Sequence, residues 1–135
     1  MKKMYFFTIT LIIIITAVFL LYSSDENTIN RNFLSSYDIM TNPEPQEVSA
    51  FQIPKEFDNI YTDYNLLQIE CGLDLLPYSG KKAVRYTYTV TNFPVEMPSD
   101  ILVNVICVNH RPVAGDIMCP ALSGFIKPLN FLMKY

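Results

Sequence analysis

Apolar residues are concentrated in one block at the start of the chain and then recur in short periodic stretches. From Met4 to Tyr22 no residue is charged, and the centre, Leu11 to Leu21, is nearly all aliphatic. A helix over these nineteen residues rises about 28 Å, close to the hydrocarbon thickness of a bilayer. The run is too long for a buried strand and apolar on every side, unlike a core helix. Thr8, Thr10 and Thr16 can return their hydroxyls to their own helix carbonyls. The pattern predicts a transmembrane signal anchor over residues 4–22. Lys2 and Lys3 precede the run while Asp25 and Glu26 follow it, so the lysines stay cytoplasmic and Ser23 onward lies outside. A cleaved signal peptide is the alternative and would leave a secreted protein. Leu21 and Tyr22 spoil the small-residue pattern that a cut before Ser23 needs. The division expected is therefore 1–22 as cytoplasmic stub and anchor, then 23–135 as one extracytoplasmic domain held at the cell membrane.

After residue 22 the periodicity changes repeatedly. Ser23 and Glu26 have capping-box spacing, and Ile29, Phe33, Leu34 and Tyr37 fall on one side of a helix reaching about Tyr37. Asn27, Asn30, Arg31 and Asn32 face elsewhere. Asn42-Pro43-Glu44-Pro45 ends any helix. Val48 to Ile53 alternates as a short strand. Pro54 suits a first helical position, and a second helix is expected over Lys55–Cys71 with Gly72 as its stop. Its apolar stripe is Phe57, Ile60, Tyr61, Tyr64, Leu67 and Cys71. Ala83–Val90 is the clearest strand: Val84, Tyr86, Tyr88 and Val90 share one face, Arg85, Thr87 and Thr89 the other. Ile101–Asn109 forms another, with Ile101, Val103, Val105 and Cys107 toward the core.

Asn109-His110-Arg111-Pro112 reads as a hairpin turn leading into a strand over Val113–Cys119. A three-residue loop puts Val113, Gly115, Ile117 and Cys119 on the core face, with Cys107 opposite Gly115 and Cys119 opposite Val103. A two-residue loop would set Asp116 against Val105, at a desolvation cost. Ala121–Leu129 is a short terminal turn or helix interrupted by Gly124 and Pro128. The fold class expected is α+β, an antiparallel or mixed sheet of about four strands with two helices packed on one face, after the N-terminal transmembrane helix.

Charge and chemistry narrow the reading further. All 13 acidic residues lie after residue 22, with eight of the ten basic ones, so the outer part is acidic and no nucleic-acid partner is expected. In the regular hairpin Cys107 and Cys119 are too far apart for a disulfide, while Cys71 can reach either one. Buried free thiols are the plain alternative, since all three cysteines lie on apolar stripes. No Cys-x-x-Cys, phosphate loop, His-Glu-x-x-His or nucleophile elbow occurs. His110 sits in a turn beside Arg111, and a metal site combining it with Asp100 and Asp116 has nothing to fix its geometry. No cofactor, metal or catalytic residue is assigned.

Two features invite a binding role. Tyr61, Tyr64, Tyr78, Tyr86 and Tyr88 cluster around the helix-to-strand region, as core packing or as a groove for peptide or glycan. Gly115 lacks a side chain inside a strand and needs a reason to be there. Either it makes room for Tyr64 or Tyr86, leaving Asp116 solvated, or a bulge there aims Asp116 toward the Arg85-bearing face beside Ser123-Gly124. The second case gives an interaction surface of Gly115, Asp116, Arg85 and Ser123.

Ile53-Pro54-Lys55-Glu56-Phe57 and Tyr61-Thr62-Asp63-Tyr64-Asn65 resemble an uncharacterised bacterial family, domain of unknown function 4830, found mainly in Firmicutes. Gly72 to Leu75, Pro77 to Tyr88, and Ala114 to Cys119 followed by Ala121 to Phe125 resemble it too. The likeness covers roughly residues 30–127. Members are typically short and carry an N-terminal membrane or lipoprotein signal. They often end in a Gly-Phe-Met-His-Gly-like segment, where this chain has Gly124-Phe125-Ile126-Lys127-Pro128. The resemblance implies no activity, ligand or catalytic residue. The function expected is a non-catalytic interaction module at the membrane surface, with a protein, peptide or cell-wall glycan partner. The alternative is a small extracytoplasmic enzyme or thiol-active protein using Cys119 with Asp116.

Overall fold

The structure, a computed structural model, describes residues 1–18 and 26–135. Its centre is a five-stranded sheet in the order β1-β2-β3-β4-β5, antiparallel throughout. The strands are β1 Glu47–Gln52, β2 Lys82–Thr89, β3 Leu102–Val108, β4 Arg111–Met118 and β5 Ile126–Lys127. Helix α1, Lys2–Ser35, precedes the sheet, and α2, Asn59–Glu70, joins β1 to β2. Two 3-10 turns, Leu76–Tyr78 and Leu129–Lys134, complete the elements. This is an α+β fold with one strand more than the hydrophobic pattern predicts.

Among the described residues no helix is long and apolar enough to cross a membrane. That finding overturns the signal anchor over 4–22, the single-pass membrane localisation and the membrane partner built on it. Residues 19–22 lie outside the described residues, as do Ser23 of the expected capping box and the junction at Ser23-Ser24.

The two helices do not share a face of the sheet. On one face Tyr88, Val103, Val105, Cys107 and Ile117 pack with Leu34 and Ile39 from α1 and its exit, and with Leu129 and Leu132. On the other, Ala83, Ile106, Val108, Val113 and Ala114 pack with Ile53, Leu75, Phe57, Tyr61 and Tyr64. Every residue of β3 is buried as a result. Helix α2 runs along the β4 edge. Tyr61 and Tyr64 belong to the second cluster and Cys71, just past the helix end, to the first. Between them the Gln68 side chain accepts the Gly115 N–H at 2.9 Å, satisfying a strand-edge donor that β5 is too short to reach.

Helix α2 starts at Asn59 rather than Lys55, because Asp58 is the better cap. Its backbone is extended, and its carboxylate accepts the Tyr61 N–H at 2.9 Å. The far end matches expectation: Gly72 has φ +80°, and Leu73 and Gly72 donate to the carbonyls of Gln68 and Ile69, closing a Schellman motif. Of the expected apolar stripe, Phe57, Tyr61, Tyr64 and Cys71 pack against the core clusters and Ile60 does not. Ile60 is 75% exposed, and the buried residues of the helix are Asn65 and Gln68. Asn65 holds the following loop, accepting from Leu75 N–H at 2.7 Å and donating to Asp74 at 2.9 Å.

Helix α1 also docks through polar side chains. Asn30 is 1% exposed; it donates to the Tyr88 hydroxyl at 3.2 Å and accepts from the Cys107 thiol at 3.2 Å. The Tyr88 hydroxyl in turn donates to Asn27. Both asparagines therefore face the sheet, where the sequence pattern turns them away. Glu26 accepts from the Tyr86 hydroxyl at 2.7 Å and contacts His110.

The β3-β4 hairpin differs in one consequential way. Asn109 and His110 both have positive φ, at 50° and 64°, which makes a two-residue turn of the mirror-image type that suits strand twist. Val108 pairs with Arg111 and Cys107 with Pro112; the register then shifts, and Ile106 pairs with Ala114. Val113 is the extra residue of a bulge. Pro112 has no N–H to donate to the ladder there. Beyond the bulge Gly115 pairs with Val105, Asp116 with Asn104 and Ile117 with Val103, not the pairs that a three-residue loop gives.

At Gly115 a Cβ would lie 2.5 Å from the Asn104 carbonyl oxygen and 3.0 Å from Leu129 Cδ1. The glycine thus makes room for the C-terminal turn, not for Tyr64 or Tyr86. Gly115→Ala is expected to lower stability by about 1–3 kcal/mol through overpacking. Urea denaturation of wild type and variant checks this, and an unchanged midpoint would contradict the packing of Leu129 on β4.

A candidate ligand cleft on the second sheet face

Parity along the strands sets the floor of a cleft. Thr87, Asn104 and Asp116 are successive cross-strand partners on β2, β3 and β4, so they form one row across the sheet. Hydrogen bonds follow the row. The Thr87 hydroxyl donates to Asn104 Oδ1 at 2.7 Å, and Asn104 Nδ2 donates to Asp116 Oδ1 at 3.0 Å. From α2 the Tyr64 hydroxyl donates to Asp116 Oδ2 at 2.6 Å. All three row residues are buried, so each satisfied bond avoids a desolvation cost of about 1–3 kcal/mol.

Apolar side chains surround this row. Phe51 of β1, Ile60 and Tyr61 of α2, Ile106 of β3, Met118 of β4 and Ile126 of β5 line a cavity of about 490 Å³ together with Tyr64, Arg85, Asn104 and Asp116. Arg85 stands next to the row on β2. Its guanidinium is 3.9 Å from the Glu47 carboxylate with both side chains well exposed, too loose and too wet to count for much. One cation and one carboxylate thus line a mostly apolar cleft, with Ser49, Asn104 and the Tyr64 hydroxyl among its other polar groups. Burial raises the Asp116 carboxyl above its ordinary value, while the Tyr64 and Asn104 hydrogen bonds and the Arg85 charge pull it back down. Burial and the neighbouring Asp116 push the Tyr64 phenol well up, so Tyr64 stays a hydrogen-bond donor at neutral pH.

Of the four residues of the expected interaction surface, Arg85 and Asp116 line this one cleft. No bulge at Gly115 brings them there; the bulge is at Val113. Asp116 is not solvated either, being 4% exposed. Gly115 carries its N–H to Gln68, and Ser123 is exposed in the terminal turn and is not among the lining residues. The tyrosines divide: Tyr61 and Tyr64 wall the cleft, Tyr78 packs into the same cluster, and Tyr86 and Tyr88 bond to α1 on the opposite face. Sequence reading named Tyr64 among the groove tyrosines and put Thr87 on the Arg85 face, but it did not single out Asn104 or join the three to Asp116. Asn104, the one polar residue in an apolar run, was the signal available.

The thiol alternative fails on geometry. Cys119 belongs to the α1-side cluster with Ser99 at 3.4 Å, whereas Asp116 faces the cleft. All three cysteines are free, and Cys107 and Cys119 are buried. Burial, with Glu26 nearby, pushes the Cys107 thiol up to about 12, the reverse of an activated nucleophile. Among the described residues no group of His, Cys, Asp and Glu is placed to hold a metal ion. His110 lies in the hairpin turn beside Glu26, apart from the cleft that holds Asp116.

The raised carboxyl of Asp116 has a definite sign for stability. The native state holds this proton more tightly than the unfolded chain, so stability contributed by Asp116 is lost as pH rises above the unfolded value of 3.8 and through the higher native one. Asp116→Asn removes that loss. Relative to wild type, the variant should therefore be more favourable at about pH 7 than at about pH 4. Thermal melts of both proteins at the two pH values check this, and an equal difference at both would show that burial does not perturb Asp116.

No family model, curated protein or solved structure matches the chain. The resemblance to domain of unknown function 4830 over residues 30–127 is thereby overturned, and the Firmicutes source and membrane-tethered character drawn from it go with it.

Proposed function

We propose that this chain is a binding domain that holds a small, mainly apolar, uncharged ligand in the cleft between α2 and the sheet. The observation that carries the reading is the buried Thr87-Asn104-Asp116-Tyr64 row opening into an apolar cavity of about 490 Å³. Concave, mostly apolar sites with a few convergent polar groups are the usual form of small-molecule sites, and this volume falls within their usual range. Arg85 and Asp116 offset each other in charge, which favours a neutral body over an ion. Each Asp116 oxygen has one donor from the protein and a further lone pair to accept from a ligand N–H or O–H. This reading replaces both the membrane-surface interaction module and the thiol-active enzyme.

N-phenyl-1-naphthylamine is a suitable probe, being neutral, apolar, equipped with one N–H donor and fluorescent in apolar surroundings. Its fluorescence should rise on addition of the full chain. Ile60→Asp puts a charge on the cleft wall at an exposed first-turn position, where the helix dipole tolerates it. Affinity should fall by about tenfold or more, because the probe would then have to desolvate a carboxylate. Enhancement that is unaffected by Ile60→Asp and by Tyr64→Phe would place the probe elsewhere, for instance on the exposed apolar residues 4–18, and would refute the reading.

A further inference from the structure

Strand β1 is the terminal strand of the sheet, paired only with β2. The Ile53 N–H donates to the Lys81 carbonyl at 2.9 Å, which identifies that pair as hydrogen-bonded. Antiparallel alternation then turns Phe51, Ser49 and Glu47 toward β2, and directs the N–H and C=O groups of Val48, Ala50 and Gln52 outward. All three outward residues are exposed, and among the described residues nothing bonds to their main chain. The other side of the sheet is managed differently: β5 pairs with the end of β4, and Gln68 takes the Gly115 N–H. Edges left open are usually guarded by proline, lysine or a bulge. Between Glu47 and Gln52 there is none of these.

We propose that β1 pairs antiparallel with β1 of a second copy of this chain, about a two-fold axis at Ala50, joining the two sheets edge to edge. The register follows from the outward residues. Val48 of one copy lies opposite Gln52 of the other and Ala50 opposite Ala50, giving about six main-chain hydrogen bonds. Charge selects a second copy in this direction. Glu44 and Glu47 stand at one end of β1, with Arg85 beside Glu47, and Lys55, Lys81 and Lys82 at the other, with Glu56 beside Lys55, so the ends keep opposite net signs. An antiparallel copy brings the acidic end of each strand against the basic end of its mate, twice. The side chains of Val48 and Ala50 also line a groove with Val84 and Tyr86, bordered by Glu26, Lys82 and His110, and its apolar part adjoins the proposed axis.

Cross-linking register tests this in the full chain, with the parent protein and its Cys71, Cys107 and Cys119 run alongside as background. Ala50→Cys should oxidise to a self-linked dimer, since Cα atoms of a hydrogen-bonded antiparallel pair are about 5.5 Å apart, within disulfide reach. Val48→Cys alone should not, while Val48→Cys with Gln52→Cys should. Adding Ala50→Pro to that pair removes only an outward N–H, which an edge strand tolerates, so linking should be lost with the melting curve unchanged. Linking at position 50 no greater than at position 48 overturns the proposal, as does linking that survives Ala50→Pro in a folded protein. Association through the exposed apolar residues 4–18 would show no such dependence on position.

Discussion

Val113, the unpaired residue of the β4 bulge, decides which side of the sheet every later residue of the strand occupies. The side-chain period of a strand is two, so one inserted residue exchanges the two faces. Continued without the bulge, the tight turn at Asn109-His110 would put Asp116 opposite Val103, inside the α1-side core. With it, Asp116 meets Asn104 and Gly115 meets Val105. A carboxylate in the apolar layer would cost several kcal/mol. In its actual place it has two donors, so the bulge, the Asn104 amide and the Tyr64 hydroxyl form one mutually dependent arrangement.

The same dependence on polar partners governs how the helices attach. Buried Asn30, Asn65 and Gln68 contact the Tyr88 hydroxyl and Cys107 thiol, the loop at Asp74-Leu75, and the β4 edge. Apolar contact is non-directional and would allow α1 or α2 to slide by a turn. A hydrogen bond between buried groups does not, because a slide leaves donors and acceptors unpaired at about 1–3 kcal/mol each. Position is therefore specified chiefly by amides, while apolar residues such as Leu34, Leu75 and Leu129 add burial without direction.

This division explains what the sequence made legible. The strands at 47–52, 82–89, 102–108 and 111–118 were readable within a few residues because their alternation is local. Gly72 was readable because few residues accept its φ. Two-sided burial was also written in the chain: Ile101 to Val108 is apolar except for Asn104, as expected of a strand covered on both faces. The expectation of two helices on one face ignored that run. Strand β5 was not readable, since its two residues have no period and exist by pairing with Ile117 and Met118. In the site, Asp116 was expected on the Arg85 face only by way of a bulge at Gly115, whereas the bulge is at Val113, and Tyr64 reaches Asp116 across 52 residues of sequence. The apolar block over residues 4–22 dominated the reading of location, yet among the described residues no helix is long and apolar enough to cross a membrane.

Helix α2 links the cleft to the sheet edge within a few turns. Ile60, Tyr61 and Tyr64 form the cleft wall, and Gln68, one turn beyond Tyr64, accepts from Gly115. Gly115 and Asp116 are neighbours, so one helix holds β4 by a side chain in the cleft and by a main-chain N–H at the strand edge. Opening the cleft by moving α2 away would break the Tyr64 bond to Asp116 and expose the Gly115 donor together. Those two losses are coupled through a rigid helix capped by Asp58 and Gly72, and they oppose a wide opening. Access is therefore expected through exposed Ile60 and the loosely paired Arg85 and Glu47 side chains, whose rearrangement disturbs no buried hydrogen bond.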